Sequence, residues 1–249
     1  MDYQNQHPNT STDLSFVQPV EQTHVKNFMA NVFAYMFMAL GISALFAYLF
    51  STNVYLLQYL MNSNGTGLNP LGWIVLLAPI GFVLLMSLGY SRLSAPVLIL
   101  LFVLYSAING ISFGFILLRF SPGTVLTCFL SASAMFGIMA FMGYTTKQDL
   151  TKFGRIMIMG LIGIIVASVI NFFMNSATMD YLISFIGVMV FTGLTAYDVQ
   201  KLKNIGAGIQ YADVGAGEVK KASILGALNL YLDFVNLFLF LLRLFGRRN

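Results

Sequence analysis

Seven stretches of predominantly apolar residues, at 28–50, 71–91, 95–118, 124–143, 155–175, 179–199 and 222–243, leave this chain few ways to fold. Each is about 20 residues long, enough at 1.5 Å per residue to cross a hydrocarbon core of about 30 Å. Hydrocarbon offers no partner to a backbone N–H or C=O, so each stretch has to be a helix. The expected fold is therefore an all-α, polytopic membrane bundle of seven transmembrane helices. Only 9% of the residues are charged, against about 25% in a soluble domain, which excludes the soluble alternative. Residues 1–27 are polar and lack the apolar core and small-residue cleavage site of a signal peptide. They are expected to form a polar tail ahead of a single transmembrane domain at 28–249.

Orientation follows from where Lys and Arg fall. With the N-terminus in the cytoplasm, Lys26, Arg92, Lys147, Lys152, Arg155, Lys201, Lys203, Lys220 and Lys221 lie inside. Arg119, Arg243, Arg247 and Arg248 lie outside, a ratio of nine to four. Seven crossings are expected, although a re-entrant last span would improve the ratio to twelve to one. The net charge of +4 does not point to nucleic acid, because the cations are scattered singly between apolar spans. The lone Cys128 leaves no intramolecular disulfide and no thiolate metal cluster. His7 and His24 both lie in the tail, which excludes mechanisms needing a histidine within the membrane. Small residues four apart (Ser106, Gly110 and Gly114; Ala222 and Gly226) predict close helix packing.

Of the nine acidic residues, most lie in tails, loops or span boundaries. Asp198 and Asp233 do not. Asp198, in FTGLTAYDVQKLK, stands near the inner end of the sixth span. Asp233, in LYLDFVNLF, is more than two turns from either end of the seventh. An ionisable group at the bilayer centre costs roughly 2.5–3.5 kcal/mol on insertion scales, so such residues usually face a bundle interior or a wet cavity. One reading is structural: Asp233 accepts hydrogen bonds from Asn229, Asn236 or a tyrosine, and Asp198 is hydrated at its helix end. The other is a pair. Two carboxylates in a desolvated site cannot easily both ionise, so the pair holds one shared proton and senses pH. It also offers oxygen ligands to Ca²⁺, although two carboxylates alone make a weak site. Arg92 ends the second span on the same side as Asp198. It is either a topology anchor snorkelling to the interface or a salt-bridge partner for an acidic site.

GLTAYDVQKLK followed by ALNLYLDFVNLFLFLLRLFG resembles the last two helices of the transmembrane Bax-inhibitor-motif family, in its bacterial branch. The span layout, the polar tail and YSAINGISFGFI in the third span agree more loosely. The resemblance implies a seven-helix fold with the last helix central, surrounded by the other six, and a pH-sensitive Ca²⁺ leak through the membrane. It implies that Asp198 and Asp233 pair, and that Arg92 latches to them in the closed state. No cofactor is expected; Ca²⁺ is the transported ion, and the lipid bilayer and H⁺ are the other partners.

Two alternatives of other classes stand beside this reading. An intramembrane aspartyl protease also needs two membrane aspartates, and Tyr197–Asp198 matches half of its signature. The Gly-x-Gly-Asp half is absent, since Asp233 follows Tyr231 and Leu232, and no enzymatic activity is expected. The third reading is a membrane scaffold that binds and modulates a membrane protease or another membrane partner through residues 1–27.

Overall fold

Three of the helices start where a short polar residue meets a proline. Asn69 accepts from the Gly72 amide at 2.9 Å ahead of Pro70, and Ser121 accepts from the Thr124 amide at 3.3 Å ahead of Pro122. Ser94 precedes Ala95–Pro96 without a side-chain capping bond. Proline in the first turn forfeits an N–H that has no intrahelical partner anyway. The computed structural model describes residues 14–62, 67–211 and 215–246. Among these it has α1 (Leu14–Thr52), α2 (Val54–Gln58), α3 (Pro70–Leu88), α4 (Ala95–Leu117), α5 (Pro122–Thr145), α6 (Thr151–Met174), α7 (Ala177–Tyr211) and α8 (Ala216–Phe245). All but α2 are long and apolar enough to cross a membrane.

The last helix is the centre of the bundle. In α8, 72% of the most apolar window is enclosed, against 6% in α6 and 11% in α3. α8 packs on α1, α4, α5 and α7, whereas α3 leans on α4 and α6 leans on α7. The expected ring of six is thus a ring of four with two outer helices. The physical reason is that α3 and α6 are apolar on every side and gain nothing from burial beyond what lipid supplies. Trp73, Ile74 and Leu77 of α3, and Ile162, Ile165, Phe172 and Phe173 of α6, are exposed. In water such faces would be an aggregation hazard; in a bilayer they are the lipid boundary.

Glycines permit the closest approaches. A Cβ at Gly110 would stand 2.5 Å from the Ser43 carbonyl oxygen, so α4 lies backbone to backbone on α1, and Gly114 continues that seam against Phe50. Gly226 meets Leu202 and Val32. The small-residue faces therefore do what their spacing predicts.

Helix ends differ from the sequence expectation. Residues 200–221 read as a connection, yet α7 continues to Tyr211 and α8 begins at Ala216. Gly206, within that stretch, faces the Phe28 ring, with a Cβ there 3.0 Å from it. Tertiary packing outweighs its poor helix propensity. Likewise α1 begins at Leu14, inside the expected tail, and Val25 and Phe28 are already buried. Residues 1–13 of the tail, Arg247 and Arg248 lie outside the described residues.

Candidate functional site

α7 and α8 run antiparallel. Gly226 of α8 meets Leu202 of α7, and Phe240 of α8 meets Gly187 of α7. That register sets Asp198 opposite Asp233, and the two carboxyl groups lie within hydrogen-bonding reach of each other. Asp233 is buried at 5% exposure, while Asp198 is half-buried. Lys201, one turn beyond Asp198, is within electrostatic reach of it.

The donors that a purely structural role for Asp233 would call on leave its Oδ2 without a hydrogen bond. Asn229 is exposed, and the Asn236 side-chain amide donates to the Leu232 carbonyl at 2.8 Å. The Tyr231 hydroxyl belongs to another network. As a result Oδ2 of Asp233 is buried with no hydrogen-bond partner among the described residues. A carboxylate oxygen in that position costs roughly 1–3 kcal/mol or more when left unpaired.

Neighbouring contacts hold the inner end of α7 in place. A Cβ at Gly143 of α5 would collide with the carbonyl of Ala196, two residues before Asp198. Gln200 Oε1 accepts from the Leu150 amide at 2.8 Å, and its Nε2 donates to the Gln148 carbonyl at 2.7 Å. Lys203 donates to the Tyr144 carbonyl at 2.8 Å. The α5–α6 connection is itself braced by Asp149, which accepts from the Thr151 hydroxyl and amide. Those bonds hold the Asp149 carboxyl below the usual carboxylate range.

Arg92 is not part of this cluster. It is exposed beyond the end of α3, its amide bonds to the Gly89 carbonyl, and it forms no salt bridge with Asp198 or Asp233. The cation that grips the α3–α4 connection is Lys221. It is paired with Glu218 at 2.7 Å, stands 5.3 Å from the Tyr90 ring centroid, and donates to the Tyr90 carbonyl at 3.4 Å. Partial burial, then the charge of Glu218, push the Tyr90 phenol up. In the sequence Lys221 stands out only as a topology signal, although Glu218 three residues earlier is a legible partner.

A second buried polar cluster, absent from the sequence expectations, links α4, α8 and α1. Asn109 of α4 donates to the Tyr231 hydroxyl at 3.0 Å and to the Tyr105 hydroxyl at 3.3 Å. Ser43 of α1 gives its one hydrogen to the Ser106 carbonyl at 2.7 Å, so Tyr231 must donate to Ser43, also at 2.7 Å. The chain Asn109–Tyr231–Ser43–Ser106 joins α4, α8 and α1 two residues from Asp233. Asn109 within YSAINGISF was the available signal. Tyr231→Phe should lower stability by roughly 1–2 kcal/mol, because Ser43 and Asn109 each retain one other partner. Thermal unfolding in detergent checks this. Cys128 serves packing, its Sγ donating to the Leu241 carbonyl at 3.7 Å.

No third carboxylate, histidine or cysteine joins Asp198 and Asp233 among the described residues. Two carboxyls fall short of the six to eight oxygens that Ca²⁺ takes.

Fold and site together define a polytopic, all-α membrane protein with a buried carboxyl pair between its two most enclosed helices. The family described as "Inhibitor of apoptosis-promoting Bax1" matches residues 25–249, and the chain belongs to it. Inner membrane protein YbhL of Escherichia coli K12 is 41% identical over 234 residues, covering 94% of this chain and 96% of that protein. A Borreliella burgdorferi protein is 38% identical over 237 residues, 94% and 98% of the two chains. Rickettsia prowazekii RP147 is 36% identical over 225 residues, 90% and 91%.

Proposed function

We propose that this protein is a pH-sensitive calcium-leak channel of the bacterial inner membrane, with its N-terminus in the cytoplasm. The observation that carries the reading is the buried Oδ2 of Asp233, which has no hydrogen-bond partner among the described residues, on a carboxyl group within reach of that of Asp198. A proton held between the two groups satisfies that oxygen and removes one of two like charges. When the proton leaves, the second charge repels the first and draws a cation to the pair. The α7–α8 contact then loosens and the cation passes.

Arg92 acts in this reading as a latch. A guanidinium at the pair neutralises the extra charge and holds the helices closed. Arg92 is exposed in the present arrangement, so the latched state is a different one, in which the α3–α4 connection reaches the pair. The printed name of the E. coli relative supports the inner membrane as location. The excess of Lys and Arg on one side of the spans supports the orientation.

The test is calcium entry into dye-loaded proteoliposomes across a pH series. Wild-type flux should rise with pH, and Arg92→Gln should raise it further at each pH. Flux that is flat with pH in the wild type, or unaltered in both Arg92→Gln and Asp198→Asn, would rule the reading out.

A further inference from the structure

α1 and α5 both pack on α8 but leave a cleft between them. Two adjoining cavities, of about 710 and 610 Å³, occupy it and share Leu40, Ala44, Phe129 and Phe234. Each is within the 300–1,000 Å³ typical of a small-molecule site. The walls are apolar and open towards the lipid side of the bundle, and Phe234, Val235 and Phe238 of α8 form the floor. The α1 wall runs from Phe33 to Thr52, close to 30 Å of helix, so the cleft follows nearly the full hydrocarbon depth. Gly41 of α1 and Gly137 of α5 line it, and a Cβ on either would meet nothing within 4 Å. The fold does not fill this space from its own side chains.

One end of the cleft is rimmed with cations. Tyr144 lines the cavity at that end, and Lys203 sits on it, 2.8 Å from its carbonyl and 5.3 Å from its ring centroid. Lys147 is exposed three residues beyond Tyr144. Lys26 is exposed on α1, seven and eleven residues before the cleft-lining Phe33 and Phe37, which is the same helix face about 10 Å further out. Among the described residues Asp149 is the acid beside Lys147 in that rim, and its carboxylate is already bonded by Thr151. Long apolar walls ending in lysines are complementary to one kind of bilayer molecule.

We propose that the cleft is a binding site for an anionic phospholipid. One acyl chain lies between α1 and α5 against α8, and the phosphate is held by Lys26, Lys147 and Lys203. Basic pockets between transmembrane helices recognise acidic head groups by this combination. The site is separate from the Asp198–Asp233 pair and stands whether or not the protein conducts calcium. It also places a bilayer component directly on Phe234, the residue after Asp233.

Purified full-length protein, delipidated in detergent and titrated with phosphatidylglycerol or phosphatidylcholine, tests this by native mass spectrometry. The wild type should retain phosphatidylglycerol at least tenfold more tightly than phosphatidylcholine. Soluble glycerol phosphate should not compete, which separates a lipid from a free phosphate as the ligand. Lys26→Gln with Lys147→Gln should erase the head-group preference without affecting phosphatidylcholine. Gly137→Leu should reduce retention of both lipids at least tenfold, and Gly41→Leu repeats the test from the opposite wall. Equal retention of the two lipids by the wild type overturns the proposal. So does undiminished phosphatidylglycerol binding in both filled-cleft variants, or a second copy of the chain in place of lipid.

Discussion

The Asp233→Asn protein is expected to pass calcium at a low rate that no longer depends on pH. The substitution keeps the size of the side chain, removes one of the two acids and supplies an N–H that Asp198 can accept without a proton from water. Two unit charges about 4 Å apart interact by roughly 4 kcal/mol at an effective dielectric of 20. Losing one carboxylate therefore costs a divalent ion far more than the 1.4 kcal/mol that corresponds to tenfold. Flux at high pH should fall at least tenfold, and its pH profile should flatten. Stability should move the other way. The amide repairs the unpartnered position at Asp233, a gain of roughly 1–3 kcal/mol in thermal unfolding at neutral pH. The gain should shrink as the pH falls and the wild-type pair holds its own proton. A variant that keeps the wild-type pH profile in proteoliposomes shows that the sensor lies elsewhere. A loss of stability at neutral pH shows that the carboxylate was satisfied after all.

Gly143→Leu should prevent most of the protein from folding. The obstacle is the backbone carbonyl of Ala196, which cannot rotate out of the way as a side-chain tip would. α5 would have to leave α7, taking with it the Tyr144 carbonyl that receives Lys203 and the α5–α6 connection that receives Gln200. Overpacking costs typically 1–3 kcal/mol and more where backbone must move. We expect at least the top of that range, a large share of a total stability of about 5–15 kcal/mol. The measurement is the yield of monodisperse protein on size exclusion in detergent. Gly137→Leu is the internal control: it lies on the same helix but faces open space, so it should express normally. Equal yields from the two variants would refute the close α5–α7 contact.

Much of the fold is legible along the chain, because hydrocarbon imposes its demands on each span separately. A run of 20 apolar residues must be a helix whatever its neighbours do, and the helical ends announce themselves at Asn69–Pro70 and Ser121–Pro122. Legibility fails where a local signal is overruled by a distant residue. Residues 200–221 read as a connection, yet α7 runs on to Tyr211 with Gly206 packed against Phe28. Arg92 reads as an interface anchor or a partner for the acidic site; here it is exposed, and the cation bonded to the α3–α4 connection is Lys221, more than a hundred residues later.

The carboxyl pair shows the division most clearly. Composition and span length by themselves determined that Asp233 lies in a helix where a charge is costly, since that cost depends only on depth in the bilayer. Its partner depends on an antiparallel register between α7 and α8, set by Gly226 against Leu202 and Phe240 against Gly187, which no spacing within either helix encodes. The Asn109–Tyr231–Ser43–Ser106 chain and the unfilled cleft are of the same kind. Each is a property of the space between helices, and that space exists only once the helices have packed.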